Sequence, residues 1–433
     1  MELRTYQKIA VAKGVEYLKT QNNAGIISIP TGGGKSHVIS GIAHEINDNI
    51  LILQPTKEIL QQNYDKMLMY GFNDIKIYSA SFNSKKIGRF TYATIGSIYK
   101  KPELFKHFKV ILIDEAHLYS PKNIDGMYNK FFRAIGDPHI VGLTATPYRI
   151  VNKYTKKGND LFYTGHLQML NRIHPFFFKN IIYKIENHEL IEQGYLAKPT
   201  YVFPDPNFKS EEIKMNSIGN DFDSESLENY TTNPSRLKKV LYSVAKYYNE
   251  RKYFLIFASS IRQANELSKL LQENSFGNEM VFGHTPAGER DEIINNFKSG
   301  KNRIVINVKV LTLGFDFPEL DCIILARPTI SLALLYQMIG RGFRPHPSKK
   351  NFLVVDCTDT IKKLGRPETI IITKEDDGFR DRIETEVGII TNKPLFTFRI
   401  SDEKKKENLL KKQQDNLVND LLKIIKNNKY LTT

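Results

Sequence analysis

Residues 25–36 read Gly25-Ile-Ile-Ser-Ile-Pro-Thr-Gly-Gly-Gly-Lys-Ser36, and the reading of the whole chain turns on them. The apolar run at 26–29 predicts a buried strand. Pro30 breaks it, and after Ser36 the residues Val38, Ile39, Ile42 and Ile46 recur at helical spacing. Strand, glycine turn and helix in that order form the layout of a phosphate-binding loop. Glycines let backbone N–H groups surround an anion with no Cβ in the way, and the helix N-terminus adds partial positive charge. Thr31, Gly32, Gly33 and Gly34 would form the cradle, Lys35 would reach the outer phosphates, and Ser36 would ligate Mg²⁺. The strict motif carries glycine where this chain has Ile29, so a merely flexible turn is the alternative and support is needed elsewhere.

That support comes downstream. The apolar run at 110–113 leads into Asp114-Glu115-Ala116-His117. Adjacent carboxylates at the end of a buried strand repel each other, which favours a site that uses their charge. Beside a phosphate loop, Asp114 would hold Mg²⁺ and Glu115 would polarise the attacking water, whereas the plain alternative is a solvated acidic turn. Upstream, Arg4, Tyr6 and Gln7 precede the first helical pattern, where Arg4 and Gln7 could read an adenine edge. Loops at strand carboxyl ends are where open α/β sheets bind ligands. Thr56 follows one such strand, and Thr94 and Ser97 follow another; all three could hydrogen-bond a phosphodiester backbone, or serve only as helix caps. Thr144 and Thr146 end a further strand, and either relay nucleotide state or form a turn stopped by Pro147.

A chain of 433 residues accommodates two or three domains at about 150 residues each. Its 41% apolar content supplies large cores and excludes wholesale disorder. No apolar run reaches the ~18 residues of a membrane span and no leader precedes Arg4, so a soluble protein of a reducing, cytoplasmic compartment is expected, with no membrane partner. Cys322 and Cys357 lie in apolar surroundings without metal-ligand spacing and read as core residues. The net charge of +15 draws polyanions and makes nucleic acid the favoured partner.

Between 151 and 235 the alternation of strand and helix weakens. Lys153, Lys156 and Lys157 precede Phe162, Tyr163, Phe176, Phe177 and Phe178, which either stack bases or pack a core. From 236 the rhythm returns, with strands expected at 253–257, 280–282 and 304–308 but no second phosphate loop. One nucleotide shared across an interface is therefore expected. Asp316 lies on a glycine-turned loop where it could touch a ribose or orient a neighbour. Arg341 and Arg344 fall on nearly one helical face, where two guanidiniums can meet a γ-phosphate, although arginines at a helix end also simply favour its dipole. The lysine-rich tail from Ser401 repeats leucines at near-heptad spacing and predicts an amphipathic helix over 371–433.

In this order the motifs resemble the superfamily 2 helicases of the DEAH-type group, which includes phage UvsW-like branch-migration helicases, RadD-like proteins and XPB-like translocases. The resemblance runs over roughly residues 1–360. It implies an α/β fold of two tandem RecA-like domains, at 1–150 and 236–370, with an insertion at 151–235 and a C-terminal extension at 371–433. It further implies ATP and Mg²⁺ in the cleft, with Gln337, Arg341 and Arg344 entering from the second domain and Arg4 and Gln7 selecting adenine. Thr56, Thr94, Ser97, Ser259 and Thr312 would contact the nucleic-acid backbone. The activity so implied is a monomeric ATP-dependent DNA helicase or translocase acting on forked and branched DNA in replication, recombination or repair. RNA as the substrate, a motor subunit of a restriction complex, and a nucleotide-gated binding protein are the rivals.

Overall fold

The computed structural model describes residues 2–399 except 122, 124, 137, 158, 159, 217–220, 312, 313, 375–380, 392 and 393. Strands β1 (Ala24–Ser28), β2 (Ile50–Leu53), β3 (Ile75–Ser79), β4 (Ser84–Lys85), β5 (Phe90–Ala93), β6 (Val110–Asp114) and β7 (His139–Thr144) come first. A long hairpin of β8 (Tyr148–Lys157) and β9 (Asp160–Met169) follows, then β10 (Phe178–Lys184). Eight of them make one sheet in the order β10-β1-β7-β6-β2-β5-β3-β4, parallel apart from the short β4.

The central strands are apolar on both faces because helices cover both. Alternate side chains point to opposite faces. Thus Ile27, Ile52 and Leu112 pack with Val38, Ile39 and Ile42 of the helix Lys35–Glu45. Ile26, Leu51 and Ile111 pack instead with Phe131 and Phe132 of the helix Met127–Ile135.

The second sheet is built from β11 (Lys198–Val202), β12 (Phe254–Phe257), β13 (Glu279–Val281), β14 (Ile304–Asn307), β15 (Cys322–Leu325) and β16 (Asn351–Asp356). Its order is β11-β16-β15-β12-β14-β13 and every pairing is parallel. Cys322 and Cys357 are buried and free, as their apolar surroundings require.

The stretch expected as an insertion at 151–235 is distributed between the two lobes. β10 pairs with β1 at the edge of the first sheet and β11 pairs with β16 at the edge of the second. Phe178 is fully buried and Phe177 stacks on Phe132 at 5.6 Å between ring centroids, so both belong to the core of the first lobe. Phe176 is exposed, with the Lys179 ammonium 5.7 Å from its ring. It precedes the amino end of β10, at the sheet edge opposite the carboxyl end of β1 where the glycine loop lies. The side chains at 152–163, and the tail from Ser401, lie outside the described residues.

Beyond β16 the chain turns back. β17 (Ile371–Lys374), β18 (Asp381–Thr385) and β19 (Gly388–Ile389) form a small antiparallel sheet, and β20 (Pro394–Arg399) pairs with β9. Ile370, Ile372, Ile383 and Ile390 are buried in the core that also holds Ile27 and Val38. The chain end thus crosses from the second lobe onto the first.

Candidate active site

The glycine loop is shaped by backbone conformations that only glycine adopts without strain. Gly32 and Gly34 have φ of +83° and +81°, and a Cβ on Gly33 would stand 2.7 Å from Ile29 Cγ2. From below, the Tyr6 hydroxyl and the Gln7 amide donate to the Gly33 carbonyl at 2.7 and 3.2 Å. The other end of the Gln7 amide accepts from Arg4 N at 3.0 Å, and the Arg4 guanidinium lies over the Tyr195 ring at 4.3 Å. Arg4 and Gln7 are therefore at the loop as expected, but Gln7 spends both ends of its amide bracing it. Tyr195 was not foreseen.

The acidic pair faces the loop. Lys35 Nζ is 3.4 Å from Glu115 Oε1, and His117 Nδ1 is 3.4 Å from Glu115 Oε2. Glu115 has φ of +49°, a left-handed conformation that costs a side-chain-bearing residue about 1–3 kcal/mol and recurs at functional sites. Burial alone would raise its carboxyl, but the Lys35 ammonium, followed by His117, holds it below the usual carboxylate range. Asp114 moves the other way, raised by burial and then by the charge of Glu115. His117 continues inward, its Nδ1 lying 2.9 Å from the Thr144 hydroxyl, which accepts from Thr146 N at 3.0 Å.

The second lobe closes the same cleft. Gln337, on the helix Leu332–Ile339, places its amide nitrogen 3.1 Å from His117 Nε2. On the same helix the Tyr336 hydroxyl accepts from Thr31 N at 3.2 Å and donates to Asn187 Oδ1 at 2.7 Å. A Cβ on Gly340 would come within 2.7 Å of the Tyr336 carbonyl and 3.1 Å of Thr31, so glycine suits both the helix end and the close approach of the lobes. Arg341 and Arg344 line the cleft together with Thr31, Gly32, Lys35, Ser36, Asp114 and Glu115. Arg341 is held by the Phe315 carbonyl at 2.7 Å, and burial, then Arg344, pushes it down to about 10. Arg344 pairs with Asp316 at 2.7 Å, so an arginine is the neighbour that Asp316 meets.

Gly342 between these arginines is a packing requirement. A Cβ there would come within 2.2 Å of the buried Phe352 ring. Gly342→Ala should cost about 3 kcal/mol through overpacking, read as a lower urea midpoint of unfolding.

Two residues the sequence reading missed lie against the expected metal ligands. On the helix Lys57–Met69, Asn63 Nδ2 donates to Asp114 Oδ2 at 3.0 Å and Lys66 Nζ donates to Ser36 Oγ at 2.8 Å. Next to Ser36, His37 is pushed down to about 4 by burial and then by Lys66, Arg4 and Arg344. Ser36 and Asp114 offer the hard oxygen donors that suit Mg²⁺. Among the described residues no group of three or more His, Cys, Asp or Glu could hold a metal, so phosphate oxygens and water would complete its shell.

The expected nucleic-acid contacts are less uniform. Thr56 caps the helix Lys57–Met69 through Ile59 N at 3.4 Å. The Thr94 and Ser97 hydroxyls bond each other at 2.9 Å, half-buried. Ser259 is buried, its hydroxyl held by Thr231 and Gln263 at 2.7 and 2.8 Å, and does not face solvent. Thr312 lies outside the described residues.

Residues 1–149 match the family described as type III restriction enzyme, res subunit, and residues 234–346 match the helicase conserved C-terminal domain. IRC3 of Saccharomyces cerevisiae, assigned as an ATP-dependent helicase, is 24% identical over 93% of this chain and 58% of its own length. The DNA 3'-5' translocase XPB2 of Sulfurisphaera tokodaii is 26% identical over 79% of each chain. The chain thus spans just over half the length of the yeast relative. Among solved structures, the ATP-dependent type ISP restriction-modification enzyme LlaBIII bound to DNA superposes with a TM-score of 0.59 at 15% identity, over 83% of this chain and 28% of that one. A yeast Dbp5 variant bound to RNA and ADP BeF3 gives 0.55 at 14% identity, over 85% and 88%. These likenesses show tandem RecA-like domains. No helix among the described residues is long and apolar enough to cross a membrane. With a restriction-enzyme res-subunit match over residues 1–149 and a helicase C-terminal match over residues 234–346 in tandem, the chain is similar to the superfamily 2 helicases.

Proposed function

We propose that this chain is an ATP-driven motor on DNA that unwinds or branch-migrates forks and junctions. The observation that carries the motor reading is the 3.1 Å contact between Gln337 of the second lobe and His117 of the first, beside a cleft that Arg341 and Arg344 share with Lys35. A triphosphate in that cleft touches both lobes at once, so its hydrolysis changes the affinity of the lobes for each other.

In this reading the loop 31–36 would cradle the phosphates, and Ser36 and Asp114 would hold a Mg²⁺ that supplies charge neutralisation. Glu115 accepts a proton from the attacking water. Lys35, 3.4 Å away, keeps that carboxylate ionised, and His117 fixes its second oxygen. Arg341 and Arg344 offset the charge that develops on the transferring phosphoryl group. Arg4, stacked on Tyr195, and Gln7 border the base, and Thr56, Thr94 and Ser97 contact the nucleic-acid backbone.

DNA is favoured over RNA by the XPB2 relative, whose name specifies DNA translocation; the net charge of +15 suits either polyanion. The test compares ATP turnover without nucleic acid and with single-stranded DNA, duplex, fork, four-way junction and RNA. Forks and junctions should stimulate most, with stimulation weakening as salt rises. Stimulation by RNA alone would replace this reading with an RNA helicase. A second reading, the motor of a restriction complex, is favoured by the family match over residues 1–149. It predicts DNA cleavage dependent on ATP when a nuclease-bearing partner is added.

A further inference from the structure

One helix, Lys57–Met69, touches every party to the proposed cycle. Its N-cap Thr56 is in the loop proposed to meet nucleic acid. One turn in, Gln62 donates to the Gly314 carbonyl of the second lobe at 2.9 Å, and a Cβ on Gly314 would meet Glu58 at 3.1 Å. Further along, Asn63 occupies one oxygen of Asp114 and the Lys66 ammonium occupies the hydroxyl of Ser36. The other Asp114 oxygen already accepts from Glu115 N at 2.9 Å. One oxygen of each side chain proposed for Mg²⁺ is thus engaged by a donor from this single helix.

A hydroxyl that accepts from an ammonium at 2.8 Å cannot also face a dication closely without setting two cations side by side. Lys66 can leave that place, because its ammonium sits at the end of a flexible four-carbon stem.

Resting on the ATP-site reading above, we propose that Lys66 is a positioning residue that stands in the place of the metal at Ser36, and that movement of the helix Lys57–Met69 on binding DNA withdraws it. In the resting arrangement the ammonium holds the Ser36 hydroxyl oriented and withheld. When DNA engages the loop at Thr56, or the second lobe shifts Gly314, the helix carries Lys66 and Asn63 off together and exposes both oxygens. The device couples nucleic-acid binding to metal loading ahead of hydrolysis.

The test measures Mg²⁺-dependent binding of a fluorescent N-methylanthraniloyl-ADP by full-length protein, with and without single-stranded DNA. Lys66→Met, which keeps the stem and removes the charge, should lower the Mg²⁺ needed for half-maximal binding by about threefold to tenfold without DNA. In the wild type, DNA should produce the same shift, and in Lys66→Met it should add little. Lys66→Arg should keep the wild-type requirement. Asn63→Ala, acting at Asp114, gives an independent variant with a shift in the same direction should Lys66→Met fold poorly. An unchanged Mg²⁺ midpoint in well-folded Lys66→Met and Asn63→Ala overturns the proposal, as does a raised one, which would make Lys66 a nucleotide contact. Absence of saturable nucleotide binding even by the wild type would sink the ATP-site reading itself, and the Lys66 proposal with it.

Discussion

Glu115→Gln should lower ATP turnover by about 10²–10⁴-fold while nucleotide binding survives. The substitution keeps the shape of the side chain and the left-handed backbone at this position, so it removes the charge and little else. An amide cannot take a proton from water, and this loss falls on the chemical step. Binding should hold or tighten, since Lys35 loses a partner 3.4 Å away and becomes freer to meet phosphate. The measurement pairs steady-state turnover with a binding titration of a fluorescent nucleotide. Turnover within tenfold of wild type would move the base elsewhere, and lost binding would make Glu115 a structural counter-ion of Lys35.

Much of this geometry is legible in the chain because the central strands have no freedom to be anything else. β1, β2 and β6 are four or five residues long and buried throughout, so they read as unbroken apolar runs bounded by turns. The ends of those same strands carry the glycine loop, Thr56 and Asp114, and a parallel sheet gathers carboxyl ends along one edge. Motif residues distant in sequence therefore meet in one cleft.

What escaped the sequence escaped for physical reasons. β10 and β11 are edge strands of mixed exposure with one buried residue each, Phe178 and Pro199, and Lys179, Asn180 and Lys198 interrupt their pattern. Nothing local indicates that one closes the first sheet and the other the second, because that is decided by pairing with β1 and β16, over 150 residues away in each case. Asn63 did leave a trace. Leu60, Asn63 and Met67 are the buried stripe of their helix, and a carboxamide in an apolar stripe needs a partner. The trace names a need and not its answer, which is Asp114 in the next motif but one. Lys66 and Tyr336 leave no such mark, since lysine on a helix is ordinarily solvated and tyrosine in a core is ordinary.

The two arginines of the second lobe are alike in sequence and unlike in setting, which makes them separable by experiment. Arg341 is half-buried and carries structure: its guanidinium satisfies the Phe315 carbonyl at 2.7 Å and bonds the Gln337 carbonyl at 3.3 Å. Arg344 is one-third exposed and paired only with an equally exposed Asp316, a contact of the kind worth about 0–1 kcal/mol. Arg344→Ala should therefore leave the unfolding midpoint nearly where it was and lower turnover by about 10³-fold, the lower range for an arginine that meets a transferring phosphoryl group. Arg341→Ala should lose stability as well as turnover, because it takes the guanidinium partner from the carbonyl of the buried Phe315. Asp316→Asn separates holding from acting. If the ion pair aims the guanidinium across at Gly32, whose absent Cβ would lie 3.6 Å from Arg344 Cγ, turnover falls with Arg344 still present. If the pair merely parks it, turnover rises. Full activity in Arg344→Ala would take that guanidinium out of the reaction and leave Arg341 as the second lobe's charge at the phosphates.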